Sequence, residues 1–159
     1  MSSSDSTYVP KACAYITRNG DELLVFRSPT DDRLQVPKGT VESGETPREA
    51  LFREVAEESG LCSLSSVQPL ARDVWFRREG RWYVRNFFHA SVYEPRDSWT
   101  HVVTGAGEER GREFEYSWVD LESVPGRAFA MDLDDYVPLL ESGVGRGEWA
   151  APAEQATSD

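Results

Sequence analysis

The stretch from Thr46 to Gly60 constrains this 159-residue chain more than any other part of it. Thr46 is a natural N-cap, Pro47 suits the first helical position, and Glu49 completes a Thr-x-x-Glu capping box. Gly60 supplies a C-terminal stop. This punctuation predicts a helix over 47–59, with Leu51, Phe52, Val55 and Ala56 as its apolar face. Such a face needs a surface to cover, and the flanking sequence is strand-like. Residues 12–17 read as a strand, Asn19-Gly20 as a tight hairpin turn, and 22–27 as a central return strand apolar on both faces. A short strand over 34–36 ends at Pro37-Lys38-Gly39. Beyond the helix, 71–77 and 82–93 read as strands around a turn at Glu79-Gly80, and 114–119 as another. A last helix is expected over 132–141, which Pro138 would kink or start late. Strands and helices mix without strict alternation, so the expected class is α/β with a mixed sheet. Residues 1–10 read as a disordered lead-in, 11–142 as the domain, and 143–159 as a flexible acidic tail.

Composition narrows the function classes. Seventeen basic residues face 28 acidic ones, a formal net charge of −11. Such a surface repels phosphate backbones and argues against extended nucleic-acid binding, while local cations can still hold a small phosphorylated ligand. No apolar run approaches the ~18 residues of a membrane span, and the start lacks a signal pattern. A soluble, cytoplasmic protein with no membrane partner is expected, as a monomer or homodimer. Cys13 and Cys62 make neither a disulfide framework nor a zinc set, and both read as small buried apolar residues.

Within the predicted helix, Glu54, Glu57 and Glu58 stand at i, i+3 and i+4, inside a 100° arc beside the apolar face. Like charges at this spacing destabilise a helix by a few tenths of a kcal/mol per pair. Arg53 is the one cation a turn away, and on helical spacing it does not face Glu54. Clustered carboxylates suit a hard divalent cation such as Mg²⁺, which bridges carboxylates to substrate phosphates. Taken alone, the triplet is better described as a solvated acidic helix face, common in a chain this acidic.

The wider spacing decides between the two. From Gly39, five residues lead to Glu45, seven more to Arg53-Glu54-Val55, one more to Glu57-Glu58, and one more to Gly60-Leu61. This pattern resembles the signature box of the Nudix hydrolases with every defined position filled; average residue usage gives a chance match odds on the order of 10⁻⁸. The resemblance implies a mixed sheet sandwiched between helices, with the box as a loop–helix–loop. It implies hydrolysis, with Mg²⁺ or Mn²⁺, of a nucleoside diphosphate linked to another group. Carried onto this chain, it makes Glu54, Glu57 and Glu58 metal-binding and catalytic carboxylates, Gly39 a ligand through its carbonyl, and Glu45 and Arg53 structural braces. Glu54 is the first choice for general base.

Some family members use a carboxylate outside the box. Glu113-Phe114-Glu115-Tyr116-Ser117-Trp118 resembles the segment where relatives carry one before a Trp, and the order of preference is Glu113, Glu115, Glu109. Pro37-Lys38-Gly39 is similar to a motif of dinucleoside polyphosphate hydrolases and RNA 5′-pyrophosphohydrolases. Lys38 and Arg27 are the candidate substrate contacts. These features favour a dinucleoside polyphosphate such as diadenosine tetraphosphate as substrate. Other nucleotides, RNA 5′ ends and inositol pyrophosphates remain alternatives, as does a non-catalytic nucleotide-binding regulator. Finally, Arg72, Arg77, Arg81 and Arg85 interleave with Trp75, Trp82, Tyr83 and Phe87. Arg with aromatics can grip phosphate and stack a base, but an amphipathic hairpin with its Arg residues in water is expected for most of them. His89 and His101 are expected to pack or lie at the surface.

Overall fold

A computed structural model of the chain describes residues 6–142. Strands β1 (Thr7–Arg18) and β2 (Glu22–Ser28) form the expected hairpin, with Asn19 and Gly20 both at positive φ, 55° and 76°. β3 (Asp31–Gln35) and β4 (Lys38–Thr40) follow, then α1 (Pro47–Ser59). β5 (Ser65–Arg78) and β6 (Arg81–Ser91) make a long hairpin, followed by β7 (Ser98–Val102) and β8 (Glu113–Asp120). Short 3₁₀ turns at Leu121–Gly126 and Ala130–Asp132 lead to α2 (Pro138–Ser142).

The strands form one sheet in the order β5-β6-β1-β2-β8-β7, with β3 on β2 and β4 on β1. β1 and β6 run parallel while the other pairs are antiparallel, so the sheet is mixed as expected. Beyond the hairpin turn β1 and β2 splay apart. β1 then pairs with β4, matching Lys11 to Thr40, Ala12 to Gly39 and Cys13 to Lys38. The segment that opens the box is therefore stitched into the sheet.

Side-chain alternation sends the two sides of each strand into separate cores. One core holds Ala12, Ala14, Ile16, Leu24 and Phe88 beneath Ala50, Leu51 and Val55 of α1. The other holds Cys13, Tyr15, Val25 and Phe87 beneath Leu121, Val124, Leu133, Tyr136 and Val137. The sheet thus lies between α1 and a layer of 3₁₀ turns and α2.

Several expectations need correction. Thr7–Pro10, read as lead-in, belong to β1: they pair with Arg81–Val84, and Tyr8 stacks on Trp82 at 6.4 Å. Of the two outcomes expected at Pro138, the late start is the one found: the final helix begins there, not at Asp132, and 3₁₀ and turn geometry occupy the residues before it. Phe52 is 38% exposed, flanked by the Arg48 guanidinium, instead of joining the apolar face of α1. Cys13 is buried as expected but Cys62 is exposed. Arg85, placed in water on the sequence reading, is only 2% exposed and meets Asp73 at 2.6 Å, with Trp75 and Phe87 beside it. The expected tail over 143–159 lies outside the described residues.

Candidate active site

The capping box forms as the residue types dictate. Thr46 Oγ1 accepts the Glu49 N–H at 3.1 Å, and the Glu49 carboxylate accepts the Thr46 N–H at 2.9 Å. α1 ends where the Gly60 N–H reaches the Ala56 carbonyl at 3.0 Å. This orientation points the carboxylates of α1 at β4.

The closest approach is at Gly39. A Cβ there would lie 1.9 Å from Glu54 Cδ, so only a bare backbone fits against this carboxylate. Glu58 turns inward from the acidic face predicted for it and is 3% exposed. Its carboxylate accepts the Lys38 N–H at 3.1 Å, while its own carbonyl accepts the Tyr116 hydroxyl at 2.9 Å. Burial pushes the Glu58 carboxyl up to about 8, against the opposing pull of Lys38. Burial also raises Glu54, with Arg53 opposing it.

Arg53 is the brace. It grips Glu45 bidentately at 2.7 and 2.9 Å and donates to the Thr40 carbonyl at 3.0 Å. Contrary to the helical-spacing argument, it also reaches Glu54, at 2.8 Å, and lies 3.4 Å from Glu57. Its long side chain has a reach that an angle measured at Cα does not capture. The Arg53 contact holds Glu45 down at about 2.

These groups border a cleft of about 290 Å³ lined by Glu54, Glu57, Glu58, Gly39, Lys38 and Lys11 among others. Both lysines of the chain therefore line it. Lys38 Nζ donates to Gln35 at 2.8 Å, and Lys11 Nζ to Thr40 Oγ1 at 3.0 Å. Lys11 escaped the sequence reading, although Val9-Pro10-Lys11 repeats the form of Val36-Pro37-Lys38 and the two segments pair as β1 and β4.

The loop over 103–112 closes one side and brings Glu108, Glu109 and Arg110 to the cleft. It is tied to the end of α1, where the Glu57 carbonyl accepts the Thr104 N–H at 3.0 Å and lies 3.0 Å from His101 Nε2. His101 thus positions the loop, while His89 pairs with Thr17 at 2.9 Å. Of the three carboxylates weighed outside the box, Glu109 lines the cleft. Glu113 is exposed opposite Val102 in the β7–β8 pair. Glu115 and Arg27 lie together in a separate shallow groove with Ser98 and Trp99. Neither Glu113 nor Arg27 is brought to the α1 carboxylates.

The donor set suits a hard cation: carboxylate oxygens, and a backbone approach at Gly39 that a Cβ would fill. Among the described residues, no three His, Cys, Asp or Glu side chains converge on a single metal-sized point, and Arg53 lies against Glu54 and Glu57. Binding therefore requires those side chains to re-aim from Arg53 towards the cleft.

Residues 7–140 match the NUDIX domain family, and the chain belongs to it. An RNA pyrophosphohydrolase of Psychrobacter sp. (strain PRwf-1) is 35% identical over 69 residues, 43% of this chain and 40% of that protein. An RNA pyrophosphohydrolase of Bartonella quintana is 28% identical over 108 residues, 58% of this chain and 60% of that one. The chain thus spans less than two thirds of the length of either relative. In fold it resembles the MutT protein of Methanosarcina mazei Go1, with a TM-score of 0.65 and 20% identity over 87% of this chain and 96% of that one. It also resembles the Ap4A hydrolase of C. elegans, with a TM-score of 0.57 and 20% identity over 86% and 98% of the two chains. Among the described residues, no helix is long and apolar enough to cross a membrane.

Proposed function

We propose that this protein is a cytoplasmic, metal-dependent pyrophosphohydrolase that cleaves a phosphoanhydride bond in a nucleotide, with a dinucleoside polyphosphate such as diadenosine tetraphosphate as its best substrate. The supporting observation is the cleft itself, which sets the α1 carboxylates and the bare Gly39 backbone beside both lysines of an acidic chain. Glu54, Glu57, Glu58 and the Gly39 carbonyl would hold Mg²⁺ or Mn²⁺. When bound, such an ion neutralises phosphate charge and lowers the pKa of a coordinated water.

The chain's own residues supply the rest. Glu54 takes the proton from the water that attacks phosphorus, the anhydride P–O bond breaks, and the electron pair leaves with the departing phosphate. Glu57 shares the carboxylate site with Glu54, and Arg53, anchored by Glu45, holds both until they turn from it towards the cleft. Lys38 offers a compact positive charge to a phosphate oxygen. For the carboxylate outside the box, the geometry supports Glu109 over Glu113.

RNA 5′ ends are the second reading, favoured by relatives named RNA pyrophosphohydrolases. The net charge of −11 weighs against long RNA. Incubation with a panel of dinucleoside polyphosphates, nucleoside triphosphates and 5′-triphosphate RNA in ¹⁸O water tests both. The proposal expects Mg²⁺-dependent hydrolysis, fastest on a dinucleoside polyphosphate, with ¹⁸O in one phosphate product. No turnover across the panel, or activity that survives Glu57→Gln with Glu58→Gln, overturns it.

A further inference from the structure

Two of the three α1 carboxylates, Glu57 and Glu58, stand in the last turn of the helix, which ends at Ser59. The last carbonyls of a helix have no partner within it, and its ends fray. Their dipoles also leave partial negative charge at that end, and no basic residue of the turn offsets it. Fraying would carry both side chains away from Glu54. The groups that hold the turn come from outside the box.

Each of the last four carbonyls has a donor. Ala56 receives the Gly60 N–H at 3.0 Å. Glu57 receives the Thr104 N–H and His101 Nε2, both at 3.0 Å. A carbonyl only accepts, so Nε2 is the nitrogen of His101 that carries the proton. Glu58 receives the Tyr116 hydroxyl at 2.9 Å, and Ser59 the Trp99 indole N–H at 3.0 Å. Three of these donors are side chains, and strand alternation brings them together. Trp99 and His101 are two apart in β7, and Tyr116 is opposite Trp99 in β8, so all three share the sheet face that packs on α1. Trp99 stacks on Tyr116 at 5.2 Å, which fixes the direction of both donors.

Two glycines admit this contact. Gly60 has φ 83°, and a Cβ there would stand 3.1 Å from His101 Nδ1, so the imidazole lies directly against the helix end. Gly105 has φ 90°, and a Cβ there would collide with the Glu57 carboxylate. Glu57 is therefore bounded at both ends, its carbonyl by His101 and Thr104 and its carboxylate by bare backbone at Gly105.

We propose that His101 and Tyr116 are positioning residues for divalent-cation binding: through the carbonyls of Glu57 and Glu58 they keep those two carboxylates beside Glu54, without touching ion or substrate. This rests on the hydrolase reading for the presence of the ion. Loss of a group that orients a metal ligand typically weakens the metal by roughly 10–100-fold. Here the hold is on the backbone of the ligand residue, so the expected effect is about tenfold, the lower end of that range.

Calorimetry with Mn²⁺ on the full chain reads the effect without turnover. Tyr116→Phe deletes one hydroxyl and keeps the ring that stacks on Trp99; it should weaken Mn²⁺ about tenfold. His101→Ala should do the same, and His101→Gln, whose amide offers a donor in place of Nε2, should restore most of the affinity. Tyr136→Phe removes a hydroxyl from the core on the other side of the sheet and should leave Mn²⁺ affinity at the wild-type value, whatever its melting temperature. Half-saturating Mg²⁺ for turnover should rise in the same order, with the nucleotide KM at saturating Mg²⁺ unchanged. Wild-type affinity in folded Tyr116→Phe and His101→Ala, or an equal loss in Tyr136→Phe, overturns the proposal. The two readings fail separately. The expected Mn²⁺ pattern without hydrolysis of any nucleotide removes the hydrolase reading and keeps the positioning role. Hydrolysis with the same metal dependence in wild type, Tyr116→Phe and His101→Ala does the reverse. No Mn²⁺ bound by wild type overturns both.

Discussion

The Glu58 carboxylate accepts the backbone N–H of Lys38 at 3.1 Å, so the box closes on itself from the last turn of α1 to the residue just before Gly39. One carboxylate thereby sets the position of the strand whose bare backbone faces Glu54. Glu58→Gln keeps the acceptor oxygen, whereas Glu58→Ala takes the acceptor from a half-buried N–H, at a cost of about 1 kcal/mol or more. Urea titrations should find Glu58→Ala less stable than Glu58→Gln.

Gly39→Ala separates fold from function. The added Cβ would fall 1.9 Å from Glu54 Cδ, and the flexible Glu54 side chain is what gives way. Stability should change by no more than about 1 kcal/mol. Turnover should fall by about 10²-fold, the scale of an ångström-sized misplacement of a reacting group. Parallel melting curves and steady-state rates check both halves.

Glu54→Gln removes the proposed base and keeps the shape. Turnover should drop by ~10²–10⁴-fold with folding intact. Unchanged turnover would move the base to another carboxylate of the cleft, first to Glu109.

The Glu45–Arg53 pair fixes the acid limb of stability. Arg53 holds Glu45 at about 2, below its ordinary value of 4.5. The stabilisation is therefore complete above pH 4.5 and is lost as pH falls towards 2. Glu45→Gln should flatten that part of the stability curve, measured by denaturant midpoints across the acid range, and leave the neutral-to-alkaline slope unchanged.

Arg85 and Asp73 pair at 2.6 Å in the interior, and Tyr136 also donates to Asp73, at 2.8 Å. Arg85→Met alone strands a buried carboxylate and should cost about 3–5 kcal/mol. Arg85→Met with Asp73→Leu should recover most of that loss. Unfolding titrations of the two single variants and the pair give the coupling.

Local chemistry made α1 legible from end to end, since Thr46, Glu49 and Gly60 act within one turn of their own positions. The same holds for the Asn19-Gly20 hairpin. What eluded sequence reading depends on partners far along the chain. Thr7–Pro10 lack strand patterning of their own and are ordered by β6. β7 was not seen because Ser98–Val102 are mixed in character and take their place from β8. Glu109 comes to the cleft, and Glu113 does not, on a loop over 103–112 that is tied to the Glu57 carbonyl. Arg85 looks like a surface cation until Asp73 and Asp135 are placed around it. The carboxylate triad was visible as a spacing, but the inward turn of Glu58 and the reach of Arg53 to Glu54 were not.

The parallel pairing of β1 with β6 matches Thr7 with Arg81, residues 74 positions apart. During synthesis, the first strand therefore emerges long before the strand that completes its ladder. Until the ribosome releases β6, one edge of β1 has no partner strand and the nascent chain is exposed to aggregation. Chaperone dependence in the cell should consequently track translation through β5 and β6 more closely than translation through α1.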